Sequence, residues 1–136
     1  MSSEFEIIDE IFAPLCEGAA GAFRLKDDAA VIGDNEFVVT KDLMVEGVHF
    51  LAADPLDLVA RKLARVNLSD LAAKGAQPVG YFLGCVWPKK TKRRDIELFA
   101  KGLTVDQEIF RIRLYGGDTT RHVDGAAPLV LSATFF

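Results

Sequence analysis

Hydrophobic positions recur along this chain in two different rhythms, and the rhythms divide it into elements. Between residues 3 and 15, Phe5, Ile7, Ile8, Ile11 and Phe12 fall among acids at helical spacing, which predicts an amphipathic helix ended near Pro14. The Gly- and Ala-rich stretch 16–23 reads as a loop. Residues 29–32 and 36–40 read as the strands of a hairpin joined by the turn Gly33, Asp34, Asn35. Residues 41–51 continue as irregular or short extended chain. The next helix is the best marked: Asp54 is placed to cap it, Pro55 fits its first position, and Asp57 falls in the first turn, where a negative charge suits the helix dipole. It is expected to run to about Lys74, with Gly75 ending it and Pro78 forbidding its continuation.

Residues 81–87 then form a largely apolar strand closed by Pro88. Thr91 opens a second helix, running to about Phe110, whose Ile96, Phe99, Ala100 and Leu103 share a face. Residues 111–115 read as a strand entering a Gly116–Gly117 turn, and residues 129–136 as the last strand, inside which the chain stops. The predicted fold class is α+β: a mixed or antiparallel β-sheet with two main helices packed on one face. No repeat, linker or low-complexity tract interrupts it, so residues 1–136 form a single domain.

Composition narrows the picture. At 136 residues, half of them hydrophobic, the chain can build a core without disulfides. Lys and Arg number 16 against 20 Asp and Glu, an acidic balance that argues against a nucleic-acid partner. The one basic run, Lys89, Lys90, Lys92, Arg93 and Arg94, reads as a solvated helix start. Cys16 and Cys85 belong to no metal or redox pattern, no apolar run approaches the length of a membrane span, and the N-terminus is not a secretory signal, so a cytoplasmic protein with no membrane partner is expected.

Within the acids, 12 Asp outnumber 8 Glu, although Asp is the poorer helix former, so their positions become the question. Asp27 and Asp28 precede a strand, and adjacent residues in extended chain face opposite ways, so only one is expected in any given site. Asp42 follows a strand. Asp70 falls on the apolar stripe set by Val59, Leu63 and Val66, where a carboxylate needs a partner. An i,i+4 ion pair with Lys74 would satisfy it as well as a metal or ligand would. For Asp28 and Asp42 the plain alternative is a turn or strand-end aspartate, and for Gly116 to Thr120 a tight turn, although that string also offers N–H groups and hydroxyls to a phosphate or a magnesium-bound water. Oxygen ligands without His or Cys suit magnesium, provided that the fold brings them together. The chain carries no P-loop, nucleophile elbow or Cys/His pair.

The strings Asp27-Asp28-Ala29-Ala30-Val31, Asp42-Leu43-Met44-Val45-Glu46-Gly47-Val48-His49-Phe50, Val66-Asn67-Leu68-Ser69-Asp70-Leu71-Ala72-Ala73-Lys74-Gly75-Ala76 and Gly116-Gly117-Asp118-Thr119-Thr120-Arg121 follow in order. With them the chain closely resembles, over essentially its whole length, the N-terminal domain of bacterial thiamine-monophosphate kinase, in the aminoimidazole-ribonucleotide synthetase-like superfamily. The resemblance implies a reaction that moves the γ-phosphoryl group of ATP onto thiamine monophosphate. It implies several magnesium ions held by Asp28, Thr40, Asp42, Asp70 and Asp118, with Asp27 as a further candidate ligand, nucleotide contact at Gly117 and Asp118, and a substrate contact at His49. Without the resemblance, His49 reads as a structural histidine. The resemblance also implies a homodimer whose sheets join into a barrel, and a further C-terminal domain that closes over ATP and is not in this sequence.

In this family Gly commonly precedes the Asp pair and Thr or Ser precedes Asp42, where this chain has Lys26 and Lys41. Lys41 is expected to reach a phosphate in place of the usual hydroxyl ligand. The acceptor would be a phosphate monoester, largely dianionic at neutral pH, so no residue is expected to act as a general base. Two other readings stand beside this one. A selenophosphate synthetase would carry a reactive Cys near its N-terminus, which Cys16 matches poorly in context. A non-catalytic dimerisation and metal–nucleotide-binding module would fit the absent second domain. The chain alone is expected to be inactive.

Overall fold

A computed structural model describes residues 3–34 and 37–136. Its framework is a five-stranded sheet of order β1-β2-β5-β3-β4, built from β1 (Ala30–Ile32), β2 (Phe37–Val45), β3 (Gly80–Trp87), β4 (Arg113–Arg121) and β5 (Val130–Phe135). Only β3 and β4 are parallel, joined by the helix α3 (Arg93–Phe110). The other pairings are antiparallel, so the mixed sheet expected from sequence is the one formed.

Strand alternation decides which face is covered. In β5, Leu131, Ala133 and Phe135 are buried while Val130, Ser132 and Thr134 are only partly covered. The buried face receives α2 (Leu56–Ala73) and α3, and the core between them holds Met44, Leu63, Leu71, Tyr81, Phe99 and Phe135. Tyr81 stacks on Phe135 with ring centroids 4.7 Å apart, and Trp87 meets Phe99 edge-on at 5.4 Å. An ion cluster around one buried carboxylate ties the two helices together: Asp106 of α3, fully buried, accepts from Arg61 Nε at 3.2 Å and from Arg65 Nε and Nη2 at 3.3 and 3.2 Å.

Several expectations are corrected. The N-terminal helix is a single α turn, α1 (Glu4–Ile7), capped by Ser3 and Glu6, followed by a π turn (Ile8–Phe12) and a 3-10 turn (Ala13–Cys16) that contains Pro14. The 16–23 loop includes part of a second 3-10 segment (Ala20–Leu25). Asn35 and Glu36, in the expected hairpin turn and second strand, lie outside the described residues. Asp54 does not cap α2. Its carboxylate accepts the Leu51 N–H at 2.8 Å, and Pro55 stands at the cap position without a side-chain bond. At α3 it is Asp95 that closes the N-terminus, accepting the Lys92 N–H at 2.8 Å.

Two strands run further than their local pattern indicates. β2 continues through Lys41 to Val45 because β5, distant in sequence, pairs with it residue for residue. β4 continues through Gly116 and Gly117 after a break in register at Tyr115, rather than turning as the Gly-Gly pair predicts, because β3 supplies a parallel partner on one side. The glycine is required there: at Gly117, φ is +154° and an added Cβ would lie 1.8 Å from the Leu83 carbonyl oxygen. Among the described residues, no helix is long and apolar enough to cross a membrane.

Two measurements check this packing. Gly47 also has a positive φ, +83°, but open space around its Cα. Gly47→Ala should therefore cost only the left-handed backbone penalty of about 1–2 kcal/mol. Gly117→Ala should add strain of about 1–3 kcal/mol by forcing β3 and β4 apart, so its urea midpoint should be clearly the lower of the two. Burial pushes the Cys85 thiol up to about 12, so it remains protonated at pH 8. Iodoacetamide at that pH should modify the partly exposed Cys16 and spare Cys85 until the chain unfolds; equal rates would contradict the packing.

Candidate active site

The extension of β2 creates the site. Alternation past Thr40 turns Thr40, Asp42 and Met44 toward the helices, and Thr40 and Met44 are buried there. On α2 the buried stripe runs through Leu63, Asn67 and Leu71 rather than onto Asp70, which is partly covered at its edge, and the segment before β1 delivers Asp28. The Thr40 hydroxyl lies 2.9 Å from the Asp28 carbonyl oxygen and 3.3 Å from Asp70 Oδ2, so its one proton serves either acceptor. Four of the residues singled out from sequence, Asp28, Thr40, Asp42 and Asp70, thus converge from three separate segments. Asp28, Asp42 and Asp70 line a cavity of about 670 Å³ that also exposes Lys62, Arg65 and Ser69.

The cavity is electrostatically stressed. Burial, then the charge of Asp70, push the Asp42 carboxyl above the usual carboxylate range, and the charge of Asp28 adds the smallest contribution in the same direction. The plain explanation of Asp70 does not hold, because Lys74 pairs with Asp27 instead. That bond holds the Asp27 carboxyl below its ordinary range and engages it outside the cavity, so of the adjacent pair only Asp28 faces the site.

The donors fit a hard divalent cation. They are all oxygen, and the repulsion among them is what a cation relieves. Among the described residues no three carboxylate, imidazole or thiol groups close around a single point. Magnesium commonly takes one or two carboxylates and fills its other positions with waters and substrate phosphates.

The other residues lie elsewhere. Asp118 is in register with Gly84 on the edge strand β4, three strands from β2, which is about 14 Å at the usual strand spacing. Its Oδ1 accepts the Thr119 N–H at 2.8 Å, and with Gly117 it lines a separate, largely apolar cavity of about 540 Å³ beside Trp87 and Phe99. Within one chain, then, Asp118 does not join Asp42 and Asp70. Lys41 is also corrected: alternation turns it to the other face of the sheet, where its ammonium donates to Ser132 Oγ at 2.5 Å and Thr134 Oγ1 at 3.4 Å. It does not reach into the acidic cavity.

His49 has one nitrogen occupied. Its Nδ1 accepts the Val45 N–H at 2.9 Å, which places the proton of the neutral ring on Nε2, and its side chain is in an exposed loop anchored by buried Phe50. Lys62 donates to the His49 carbonyl, tying that loop to α2. The structural role expected for His49 in isolation is therefore present, and it leaves the outer edge of the ring available.

Lys62, Arg65, Ser69 and Asp106 were not singled out from sequence. A signal existed for Asp106, which follows Phe99 and Leu103 on the apolar stripe of α3 just as Asp70 follows Val66 on α2. Nothing distinguished Lys62 and Arg65 from ordinary surface cations.

Residues 26–136 match the family model described as AIR synthase related protein, N-terminal domain. The chain is 52% identical over 136 residues to a thiamine-monophosphate kinase of Caulobacter vibrioides, covering 98% of this chain and 38% of that one. Among solved structures, the thiamine-monophosphate kinase of Stenotrophomonas maltophilia K279a is 34% identical with a TM-score of 0.67, covering 93% of this chain and 41% of that one. The structure of AaThiL complexed with AMPPCP and TMP superimposes with a TM-score of 0.81 at 26% identity, over 97% of this chain and 40% of that one. The chain thus spans about two-fifths of the length of these relatives, and both the matched family model and the five-stranded fold make it a member of the AIR synthase related family, as its N-terminal domain.

Proposed function

We propose that this chain is the metal- and phosphate-organising part of a kinase that transfers the γ-phosphoryl group of ATP to thiamine monophosphate, giving thiamine diphosphate and ADP. The observation that carries the reading is the convergence of Asp28, Asp42 and Asp70 on one cavity, with buried Thr40 behind them bonded to Asp28 and Asp70, in a chain half identical to a thiamine-monophosphate kinase. The acceptor needs no base, because a phosphate monoester is already largely dianionic at neutral pH. What it needs is relief of the repulsion between two anions, and magnesium held at these carboxylates would supply that neutralisation and in-line alignment.

The chain's residues have distinct parts in this reading. Asp28, Asp42 and Asp70 hold metal, and Thr40 fixes the spacing of Asp28 and Asp70. His49 offers Nε2 to the thiamine substrate. Gly117 and Asp118, on an edge strand, meet the nucleotide, with Asp118 as a further metal ligand away from the main cluster. A homodimer formed through the uncovered sheet face is part of the proposal, supported by Leu43, Phe82 and Tyr115, which are 57%, 46% and 55% exposed in this chain. Lys41 belongs to that face. A reducing, ATP-supplied cytoplasm suits the two free cysteines.

Three outcomes test the proposal. Because Asp70 repels Asp42, Asp70→Asn should leave the metal-free chain as stable as before or more so, while abolishing the rise in melting temperature that magnesium gives the unaltered chain. Loss of stability without metal, or a retained magnesium effect, would contradict it. Lys41→Thr should leave magnesium affinity unchanged in calorimetry, since its side chain is on the far face. Given ATP and thiamine monophosphate, the chain alone should release no ADP above background, because it spans only two-fifths of its relatives; sustained release would refute the partial-site reading.

A further inference from the structure

The acidic cavity has a second, basic pole that the metal chemistry does not use. Arg65 lines it one helical turn before Ser69 and five residues before Asp70, a separation of about 7 Å along α2. Its side chain is half exposed, but the guanidinium has defined partners. Asp106, whose side chain is 1% exposed, takes Nε and Nη2 together, and the Phe110 ring lies 5.5 Å beneath the guanidinium carbon. Among the described residues Nη1 has no partner, so a pre-oriented pair of N–H donors is left over. Asp106 also serves Arg61, so one carboxylate stands against two guanidiniums and the cluster keeps one net positive charge.

We propose that Arg65 is the anion-binding end of this cavity: it receives the terminal oxygens of a polyphosphate whose metal is held at Asp28, Asp42 and Asp70, and Asp106 is the positioning residue that aims it. The inference rests on the metal–phosphate reading given above and adds to it the residue that orients the anion. A fixed, planar guanidinium suits phosphate oxygens better than a mobile ammonium does. It also gives the cavity a direction, with cation-binding carboxylates at one end and an anion-binding fork at the other.

Arg61 provides the internal control. It bonds to the same Asp106 carboxylate but does not line the cavity. If the cluster serves only to clamp α2 to α3, Arg61 and Arg65 should be equivalent.

The test is calorimetric titration of the 136-residue chain with magnesium pyrophosphate and, separately, with magnesium alone. Arg65→Met should weaken magnesium pyrophosphate about tenfold or more, as expected for loss of a charge-assisted fork, and leave magnesium alone unchanged. It should also flatten the dependence of pyrophosphate affinity on salt. Asp106→Asn should lower pyrophosphate affinity in the same direction, again sparing magnesium. Arg61→Met should shift the melting temperature but not the affinity. Unchanged pyrophosphate binding in Arg65→Met, or equal losses in the two arginine variants, would overturn the proposal. Asp70→Asn separates the two ideas: if it abolishes magnesium binding while Arg65→Met changes nothing, the metal site stands and the anion end falls. If the unaltered chain binds neither probe, both fall together.

Discussion

Three carboxylates repel one another across the seam between β2 and α2, and the arrangement around the cavity follows from holding them there. The Asp42 carboxyl is raised above the usual carboxylate range by burial and by the neighbouring charges of Asp70 and Asp28. A fold gains nothing in stability from such crowding without cations. Here a neutral link is the Thr40 hydroxyl shared between Asp28 and Asp70, Lys74 is committed to Asp27, and the two cations that line the cavity, Lys62 and Arg65, are engaged by the His49 carbonyl and by Asp106. The site therefore retains uncompensated negative charge, the condition under which a divalent ion and its phosphate oxygens bind well.

Rigidity comes from the elements behind the carboxylates. β2 keeps its register because β5 pairs with it from Thr40 to Val45, and β5 in turn is fixed by β3 and by the stacked rings of Tyr81 and Phe135. α2 cannot rotate Asp70 away without withdrawing Leu63 and Leu71 from the core. The buried Asp106, which links α2 to α3 through Arg61 and Arg65, resists the same motion from the opposite side, since withdrawing the arginines would leave a buried carboxylate without its partners. Packing thus supplies the free energy that keeps like charges close.

Much of this was legible in the chain, for identifiable reasons. The two long helices, β3 and β5 announce themselves through periodicity and through Pro and Gly punctuation, and Asp70 stood out because a carboxylate interrupted an apolar stripe. The extent of β2 and β4 was not legible, because Lys41–Val45 and Gly116–Arg121 become strands only through partners distant in sequence. Lys41 shows the consequence: placing it on the far face requires knowing that the strand continues. Asp54 illustrates the opposite limit, a good capping residue diverted to the turn before the helix. Asp118 belongs to the motif pattern, yet the sheet order sets it three strands from Asp42, a fact that no local spacing contains.

The central claim is that the seam between β2 and α2 is a metal site. Crystals of the chain soaked in manganese, a magnesium substitute with usable anomalous scattering, test it most directly. The expected result is an anomalous peak between Asp42 and Asp70, within coordinating distance of at least one carboxylate oxygen and otherwise surrounded by water. A well-occupied peak at Asp118 or at surface acids, with none between Asp42 and Asp70, would contradict it.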